Sequence, residues 1–238
     1  MTSPAIHFHQ LNHSYGKKPT LQQIELTVRQ GEFFGLVGMN GAGKSTLMKC
    51  LLDFCAVESG QIDIFGVSHR ITNARSRLAF LPERFMPPYY LTGADFLKYI
   101  LKLQDVPYNE TAVASMLGAL DLDPAALSNP VYNYSKGMTQ KLGLIACFLA
   151  QRALYVLDEP MSGLDPKARS LLKTKLLDMK KEGCTLFFSS HALADVEEIC
   201  DRMAIMHNGQ LRFTGTPEEC CTRFDAATLE QAYLKCIE

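Results

Sequence analysis

A glycine-rich segment from Gly38 to Leu47, which reads GMNGAGKSTL, contains the first residues whose types and spacing suggest chemistry. The pattern G-x-x-x-x-G-K-[ST] is fitted by Gly38, Gly43, Lys44 and Ser45. Glycines let successive backbone N–H groups turn toward a phosphate, and a helix N-terminus adds partial positive charge. We therefore predict a nucleotide phosphate-binding loop, with Lys44 at the outer phosphates and Ser45 on Mg²⁺. The predicted nucleotide-binding residues of this segment are Gly38, Asn40, Gly41, Ala42, Gly43, Lys44, Ser45 and Thr46.

Two adjacent carboxylates form a second candidate site. The segment ALYVLDEP is an apolar run that ends in Asp158 and Glu159. In open parallel sheets, ligands bind beyond the carboxyl ends of the strands. We expect Asp158 to hold Mg²⁺, directly or through water, and Glu159 to accept a proton from an attacking water.

A third segment, YNYSKGMTQKLGL, combines a small polar residue with a strong helical pattern. Ser135 precedes Lys136 and Gly137 and has the residue type that caps helix N-termini. The segment therefore predicts a second helix N-terminus suited to an anion.

The elements that must position these residues alternate between strands and helices. Alternating or short apolar runs predict seven strands, which are AIHFHQL, LQQIELTV, EFFGLV, GQIDIFGV, ALYVLDE, TLFFSS and RMAIMH. The phosphate loop thus stands at a strand–loop–helix junction. Helical patterns dominate from about residue 84 to residue 150, and a helix is predicted from Ala168 to Lys181. An Asn-Gly pair in HNGQLRF predicts a hairpin turn. This order predicts an α/β fold with a mainly parallel sheet, an N-terminal antiparallel part and a helical insertion.

The three candidate segments together resemble the ATP-binding domains of ABC transporters. The stretch YSKGM resembles the family's LSGGQ signature. The serine and the second glycine of the signature are present here, whereas lysine replaces its first glycine and methionine replaces its glutamine. It looks like a variant common among bacterial exporter ATPases. Tyr15 occupies the place of the family's adenine-stacking aromatic, and His191 the place of its switch histidine at the γ-phosphate. The loop that crosses the family's dimer interface matches Ser162, Gly163, Leu164 and Asp165.

The resemblance implies a P-loop NTPase fold and a division of the chain. It assigns residues 1–216 to the ATPase domain, with the helical signature part inserted at about 84–150, and residues 217–238 to a helical tail. It also implies a head-to-tail dimer with an identical or closely related chain, which sandwiches two ATP molecules. In that dimer Ser135, Lys136 and Gly137 face the partner's ATP. Hydrolysis, with Glu159 as base and Lys44 and His191 as further catalytic residues, reopens the dimer and drives separate polytopic membrane subunits.

Glu83 departs from the family pattern. The family carries a glutamine where the strand leads into the helical insertion, but LAFLPERF places a glutamate there. A carboxylate at this place could ligate Mg²⁺, could repel the triphosphate, or could only cap the segment. These alternatives stay open on the sequence.

Composition excludes several other classes of protein. The net charge of −1 gives no sign of nucleic-acid binding, and we expect no nucleic-acid partner. Eight cysteines without a paired C-x-x-C pattern indicate reduced thiols in the cytoplasm rather than metal ligands. The start MTSPAIHFHQ lacks the features of a signal peptide, and the longest apolar stretch, LGLIACFLA, is too short to span a bilayer. We expect a cytoplasmic protein held at the inner face of the membrane by its membrane subunits.

Two further segments of the sequence allow either a structural or a functional interpretation. For the histidines His7, His9 and His13 we favour a solvated strand face over a metal site, because no acid or cysteine partner lies nearby. The segment RFMPPYYLTG, Arg84 to Gly93, is too rich in proline for a regular core element. In the family this region borders the groove that receives a helix of the membrane subunit.

The predicted function is ATP hydrolysis that powers transport, with export favoured by YSKGM and YYLTG alone. The alternative is an ABC-type ATPase that moves no solute, for example one of iron–sulfur assembly. A small-molecule kinase is a third class, and the signature stretch argues against it. The transported substrate is not readable from the residues.

Overall fold

Two sheets, described here from a computed structural model, form the framework of the protein. The structure describes residues 3–238; Met1 and Thr2, which belong to the stretch examined for a signal peptide, lie outside the described part. The strands are β1 (Ile6–Tyr15), β2 (Lys18–Val28), β3 (Phe33–Val37), β4 (Ser59–Ile64), β5 (Val67–Ser68), β6 (Leu78–Leu81), β7 (Leu154–Asp158), β8 (Thr185–Ser190), β9 (Arg202–His207) and β10 (Gln210–Gly215). The helices are α1 (Lys44–Leu51), α2 (Gly93–Leu103), α3 (Glu110–Ala119), α4 (Lys136–Leu149), α5 (Pro166–Lys181), α6 (Leu193–Ile199), α7 (Pro217–Arg223) and α8 (Leu229–Ile237).

The larger sheet has six strands in the order β10-β9-β3-β8-β7-β6. Its strands are parallel except for β10, which pairs antiparallel with β9 through a turn at Asn208 and Gly209. Both turn residues have positive φ, as the Asn-Gly hairpin requires. Every residue of β3, β7 and β8 is buried, which is typical of parallel strands covered on both faces.

The smaller sheet is antiparallel, in the order β2-β1-β4-β5. Its inward side chains, among them Ile6, Phe8 and Ile62, pack with α1 and with one face of the larger sheet. A second core lies on the opposite face of the larger sheet and joins it to α2 through α8. The predicted α/β fold with an antiparallel N-terminal part is therefore confirmed.

Helix starts follow the capping residues that the sequence supplies. Asp165 caps α5, with Pro166 as the first helical residue, and Thr216 caps α7 in a reciprocal capping box with Glu219. The predicted start of one helix, at Ala168, lies two residues too late because Pro166 fits the first turn of a helix. Among residues 3–238, no helix combines the length and the hydropathy needed to cross a bilayer.

Candidate functional site

Adjacent parallel strands bring the phosphate loop and the two carboxylates to one edge of the larger sheet. The loop follows β3, Asp158 ends β7, and β8 lies between these two strands. Asp158 pairs in register with Ser189, and Val37 pairs with Ser190. The carboxyl ends of all three strands therefore lie at the same edge of the sheet, where ligands of such sheets bind. Residues that follow β3 and β7 line the cleft there.

The phosphate loop depends on glycine at positions that other residues could not occupy. Gly41 and Gly43 have φ of 85° and 112°, and Gly43 is the N-cap of α1. A side chain at Gly38 would collide with the carbonyl oxygen of Met206. The loop is thus held close to β9 while its backbone turns toward the cleft.

Lys44 is buried at the base of the loop. Its Nζ donates to the carbonyl oxygens of Gly38 at 2.5 Å and Met39 at 3.4 Å, and it lies 3.6 Å from Glu159 Oε1. A buried ammonium group needs such partners, because leaving it unpaired is costly. A phosphate entering the cleft would meet a cation that is already in place.

Glu159 contacts Lys44, Ser189 and His191 and has a backbone conformation that non-glycine residues seldom adopt. Its φ is 50°, and its N–H donates to Ser189 Oγ at 2.9 Å. Glu159 Oε2 lies 2.8 Å from His191 Nδ1. Glu159 Oε1 is buried and makes no hydrogen bond within residues 3–238. A left-handed residue of this kind costs on the order of 1–3 kcal/mol and persists where the surrounding structure fixes it.

Asp158 is buried beside Ser189, a residue that the sequence did not single out. Ser189 Oγ donates to Asp158 Oδ1 at 2.5 Å while accepting the Glu159 N–H, so one hydroxyl fixes both acids. The missed signal was the pair of serines that ends the otherwise apolar strand TLFFSS.

The cleft beside these residues has a volume of about 730 Å³. It is lined by Tyr15, Lys18, Pro19, Thr20, Gln22, Met39, Asn40, Gly41, Gly43, Lys44, Ser45, Thr46, Glu83, Arg84, Glu159, Asn208 and Gly209. Ala42 is buried behind the loop. Thr20, Asn208 and Gly209 were not predicted, because their place depends on how β2 packs against the β9–β10 turn.

Tyr15 lies at one end of the cleft with half of its surface exposed. Its hydroxyl is 3.2 Å from Cys55 Sγ, and its ring meets the His13 ring edge to face, with the centroids 4.7 Å apart. The hydrogen bond with the Cys55 thiol, aided by partial burial, raises the pKa of Tyr15. The exposed half of the residue leaves ring surface for stacking on a planar ligand.

The donor atoms beside the loop fit Mg²⁺. The Ser45 hydroxyl and the Asp158 carboxylate are hard oxygen ligands of the kind that Mg²⁺ accepts together with phosphate oxygens and waters. Glu83 is exposed, lies two residues beyond β6, and lines the same cleft.

The residues predicted to form the signature lie at a different place. Ser135 caps α4, where its Oγ accepts the Met138 N–H at 3.2 Å, and the Lys136 side chain lies over Gly163 and donates to Ser162 Oγ at 3.2 Å. Ser135 and Gly137 do not line the cleft that contains Lys44. The structure therefore joins the signature segment to the loop Ser162–Asp165 and keeps both apart from the chain's own phosphate loop.

The prediction that the N-terminal histidines have no acidic neighbour is wrong. Glu25 of β2 lies between two of them: its Oε1 is 3.3 Å from His7 Nε2, and its Oε2 is 3.0 Å from His9 Nδ1. The third histidine, His13, is buried and bonds instead to the carbonyl oxygen of Ala56. The eight cysteines are free thiols in the described residues 3–238.

Comparison with known proteins shows the family of the chain. The sequence model of the family described as "ABC transporter" matches residues 21–162, more than half of the chain. An uncharacterised ABC transporter ATP-binding protein of Synechocystis is 38% identical over 85% of this chain, which spans 58% of that relative's length.

Two further relatives match the chain along nearly all of its length. The ABC-type transporter ATP-binding protein EcsA of Bacillus subtilis is 31% identical over 94% of this chain and 93% of its own. A solved ATP-binding subunit of an ABC transporter superposes with a TM-score of 0.89 at 29% identity, covering 98% of this chain and 99% of that one. The chain therefore belongs to the ABC transporter family, as one of its ATP-binding domains.

Proposed function

We propose that the chain binds ATP with Mg²⁺ and hydrolyses it to ADP and phosphate, and that this cycle powers transport through separate membrane subunits. One observation carries the proposal: the buried Lys44 lies 3.6 Å from a buried oxygen of Glu159 that makes no hydrogen bond to any of residues 3–238. The lysine suits the phosphates, and the free oxygen suits the proton of an attacking water.

In this proposal each site residue has a role that its contacts support. Glu159 accepts the proton of the water, and His191, bonded to its other oxygen, orients the carboxylate and reaches the γ-phosphate. Mg²⁺, held by Ser45 and Asp158, would neutralise charge on the outer phosphates. Tyr15 stacks on adenine, and the backbone N–H groups from Asn40 to Thr46 bind the phosphates.

A second chain completes the site. Ser135, Lys136 and Gly137 lie at a capped helix N-terminus outside the chain's own cleft, so they suit the ATP of a partner chain in a head-to-tail dimer. The loop Ser162–Asp165 contacts this segment and would lie at the interface between the chains.

A groove beside the cleft suits a helix of a membrane subunit. It has a volume of about 670 Å³, and its walls include Phe85, Met86 and Tyr134. Met86 and Tyr89 are 84% and 70% exposed, a high value for apolar side chains. Glu83 and Arg84 line both the groove and the nucleotide cleft. A shift of these two residues in the nucleotide cleft would therefore change the wall of the groove.

Export is the direction that we propose, on the YSKGM segment Tyr134–Met138 and on YYLTG. Peripheral attachment at the cytoplasmic face of the membrane follows from the membrane partners. An ABC-type ATPase without a transport role remains the alternative. Co-purification of the chain with a polytopic membrane protein would favour transport, and its absence from membranes would favour the alternative.

The test of ATP hydrolysis compares two lysines of α1. Lys44→Ala should abolish phosphate release, because the buried cation is lost. Lys49→Ala removes an exposed lysine of the same helix and should leave the rate unchanged. Equal rates in Lys44→Ala and in the unaltered chain would contradict the phosphate-loop assignment.

A further inference from the structure

Two histidines of β1 and a glutamate of β2 form a cluster that the proposed ATPase does not use. His7 and His9 are separated by one residue and point to the same, outer face of the sheet, where Glu25 meets both. Their donor atoms, one from each side chain, all lie within 4.8 Å of one another. In residues 3–238 this is the one group of three such side chains that meets this distance limit.

The antiparallel register brings the cluster together: His7 pairs with Thr27 and Phe8 with Leu26, which places His9 opposite Glu25, and a bulge follows directly. Between Phe8 and Leu11 the pairing of β1 with β2 shifts register, and Gln10 and Gln23 both have positive φ, 44° and 49°. A β-bulge of this kind re-aims side chains. Here the Gln10 N–H also donates to Glu25 Oε2 at 3.1 Å, which fixes the carboxylate between the imidazoles.

The cluster is compact enough for its three side chains to reach one metal ion. A tetrahedral site with bonds of about 2.0–2.1 Å places its ligand atoms about 3.3 Å apart. Each imidazole meets a different oxygen of Glu25, with His7 Nε2 at 3.3 Å from Oε1 and His9 Nδ1 at 3.0 Å from Oε2, so a small rotation of the carboxylate would bring one oxygen and both nitrogens onto one ion. Imidazole and carboxylate together suit first-row divalent transition metals, Zn²⁺ among them. His9 and Glu25 are each 54% exposed, so an ion can enter and water can complete its coordination.

We propose that His7, His9 and Glu25 form a binding site for a divalent transition-metal ion such as Zn²⁺, on the antiparallel sheet and separate from the nucleotide cleft. The bound ion would cross-link β1 to β2 at their shared bulge. The site does not depend on ATP hydrolysis, so its test can fail or succeed independently of the proposed function.

The test is a calorimetric titration of Zn²⁺ into the untagged chain without nucleotide. We expect one saturable equivalent. His7→Gln, His9→Gln and Glu25→Gln should each bind the ion at least about tenfold more weakly, since each loses one ligand. His207→Gln removes a histidine outside the cluster and should bind as the unaltered chain does. All four variants keep the eight cysteines, so thiol binding is the same in each.

A second measurement guards against misfolded variants. Zn²⁺ should raise the melting temperature of the unaltered chain and of His207→Gln, and should raise it less in the cluster variants, because only the folded cluster binds. Circular dichroism checks that each variant folds. The proposal is overturned if the unaltered chain binds no Zn²⁺ up to about 1 mM. It is also overturned if folded His9→Gln and Glu25→Gln bind Zn²⁺ as tightly as the control.

Discussion

Ser189 is the residue through which the two acids of the site are fixed. Replacing it with alanine removes the hydrogen bonds to Asp158 Oδ1 and to the Glu159 N–H. We expect Ser189→Ala to lose about 1–3 kcal/mol of unfolding free energy, because buried polar groups are left unpaired. We also expect the kcat for ATP to fall about tenfold or more, with a smaller change in KM.

Thr185→Val supplies the matched control for Ser189→Ala. Thr185 is buried at the opposite end of the same strand and accepts the Gly31 N–H at 2.9 Å. Its loss should lower stability by a comparable amount and leave kcat unchanged. Equal effects of the two variants on kcat would mean that Ser189 only stabilises the fold.

Glu83 stands where we expect the family's glutamine, just beyond β6. We expect Glu83→Gln to keep ATP hydrolysis within about tenfold, roughly 1.4 kcal/mol of barrier, because glutamine keeps the shape and one acceptor oxygen. If the carboxylate ligates the metal, the Mg²⁺ concentration for half-maximal rate should rise. A titration of the rate with Mg²⁺ measures this. An unchanged midpoint would show that Glu83 does not act on the metal, and a loss as large as that of Glu159→Gln would move the catalytic base to Glu83.

At the scale of elements, the start of α4 and the loop Ser162–Asp165 act together. A Cβ at Gly137 would lie 3.0 Å from the carbonyl oxygen of Gly163, so Gly137→Ala should push the loop away from the helix. We expect this variant to bind ATP normally, since Gly137 does not line the chain's own cleft, and to lose most of its hydrolysis. Fluorescent-nucleotide binding and phosphate release measure the two effects.

Gly118→Ala is the control for this substitution. Gly118 lies in α3, and a Cβ there meets no atom within 4 Å. Alanine at an open helical position should stabilise the chain by about 0.5–1 kcal/mol without changing hydrolysis. Unimpaired hydrolysis by Gly137→Ala would contradict a role for the α4 start in the reaction.

Most strands and helices could be predicted, because their patterns involve residues close together in the chain. Contacts between residues that are close only in space could not be predicted. The loop after β3, the acids after β7 and the cap Ser135 all show local patterns, and each lies where its pattern predicts. The contact of Glu25 with His7 and His9 depends on the register in which β1 pairs with β2, with His7 opposite Thr27 and Phe8 opposite Leu26. Neither strand alone shows this register, because pairing is decided in the sheet.

At the scale of the whole molecule, the phosphate loop and the segment Ser135–Gly137 lie apart, and we therefore predict that two chains associate in the presence of ATP. Glu159→Gln should bind ATP and turn it over slowly, so ATP should hold two chains together through each phosphate loop and the other chain's Ser135–Gly137. Light scattering of this variant with Mg²⁺ and ATP should give the mass of a dimer, and the mass of a monomer without nucleotide. A monomer at high protein concentration and saturating ATP would count against the sandwich.

The central claim is that Glu159 and Lys44 form an ATP-hydrolysing site, and Glu159→Gln tests it most directly. Phosphate release and ATP affinity should be measured on the same preparations of this variant and of the unaltered chain. Losing a general base should slow hydrolysis by about 100- to 10,000-fold, while ATP affinity stays within a few-fold because Lys44 and the loop are intact. Hydrolysis by Glu159→Gln at the rate of the unaltered chain would contradict the account.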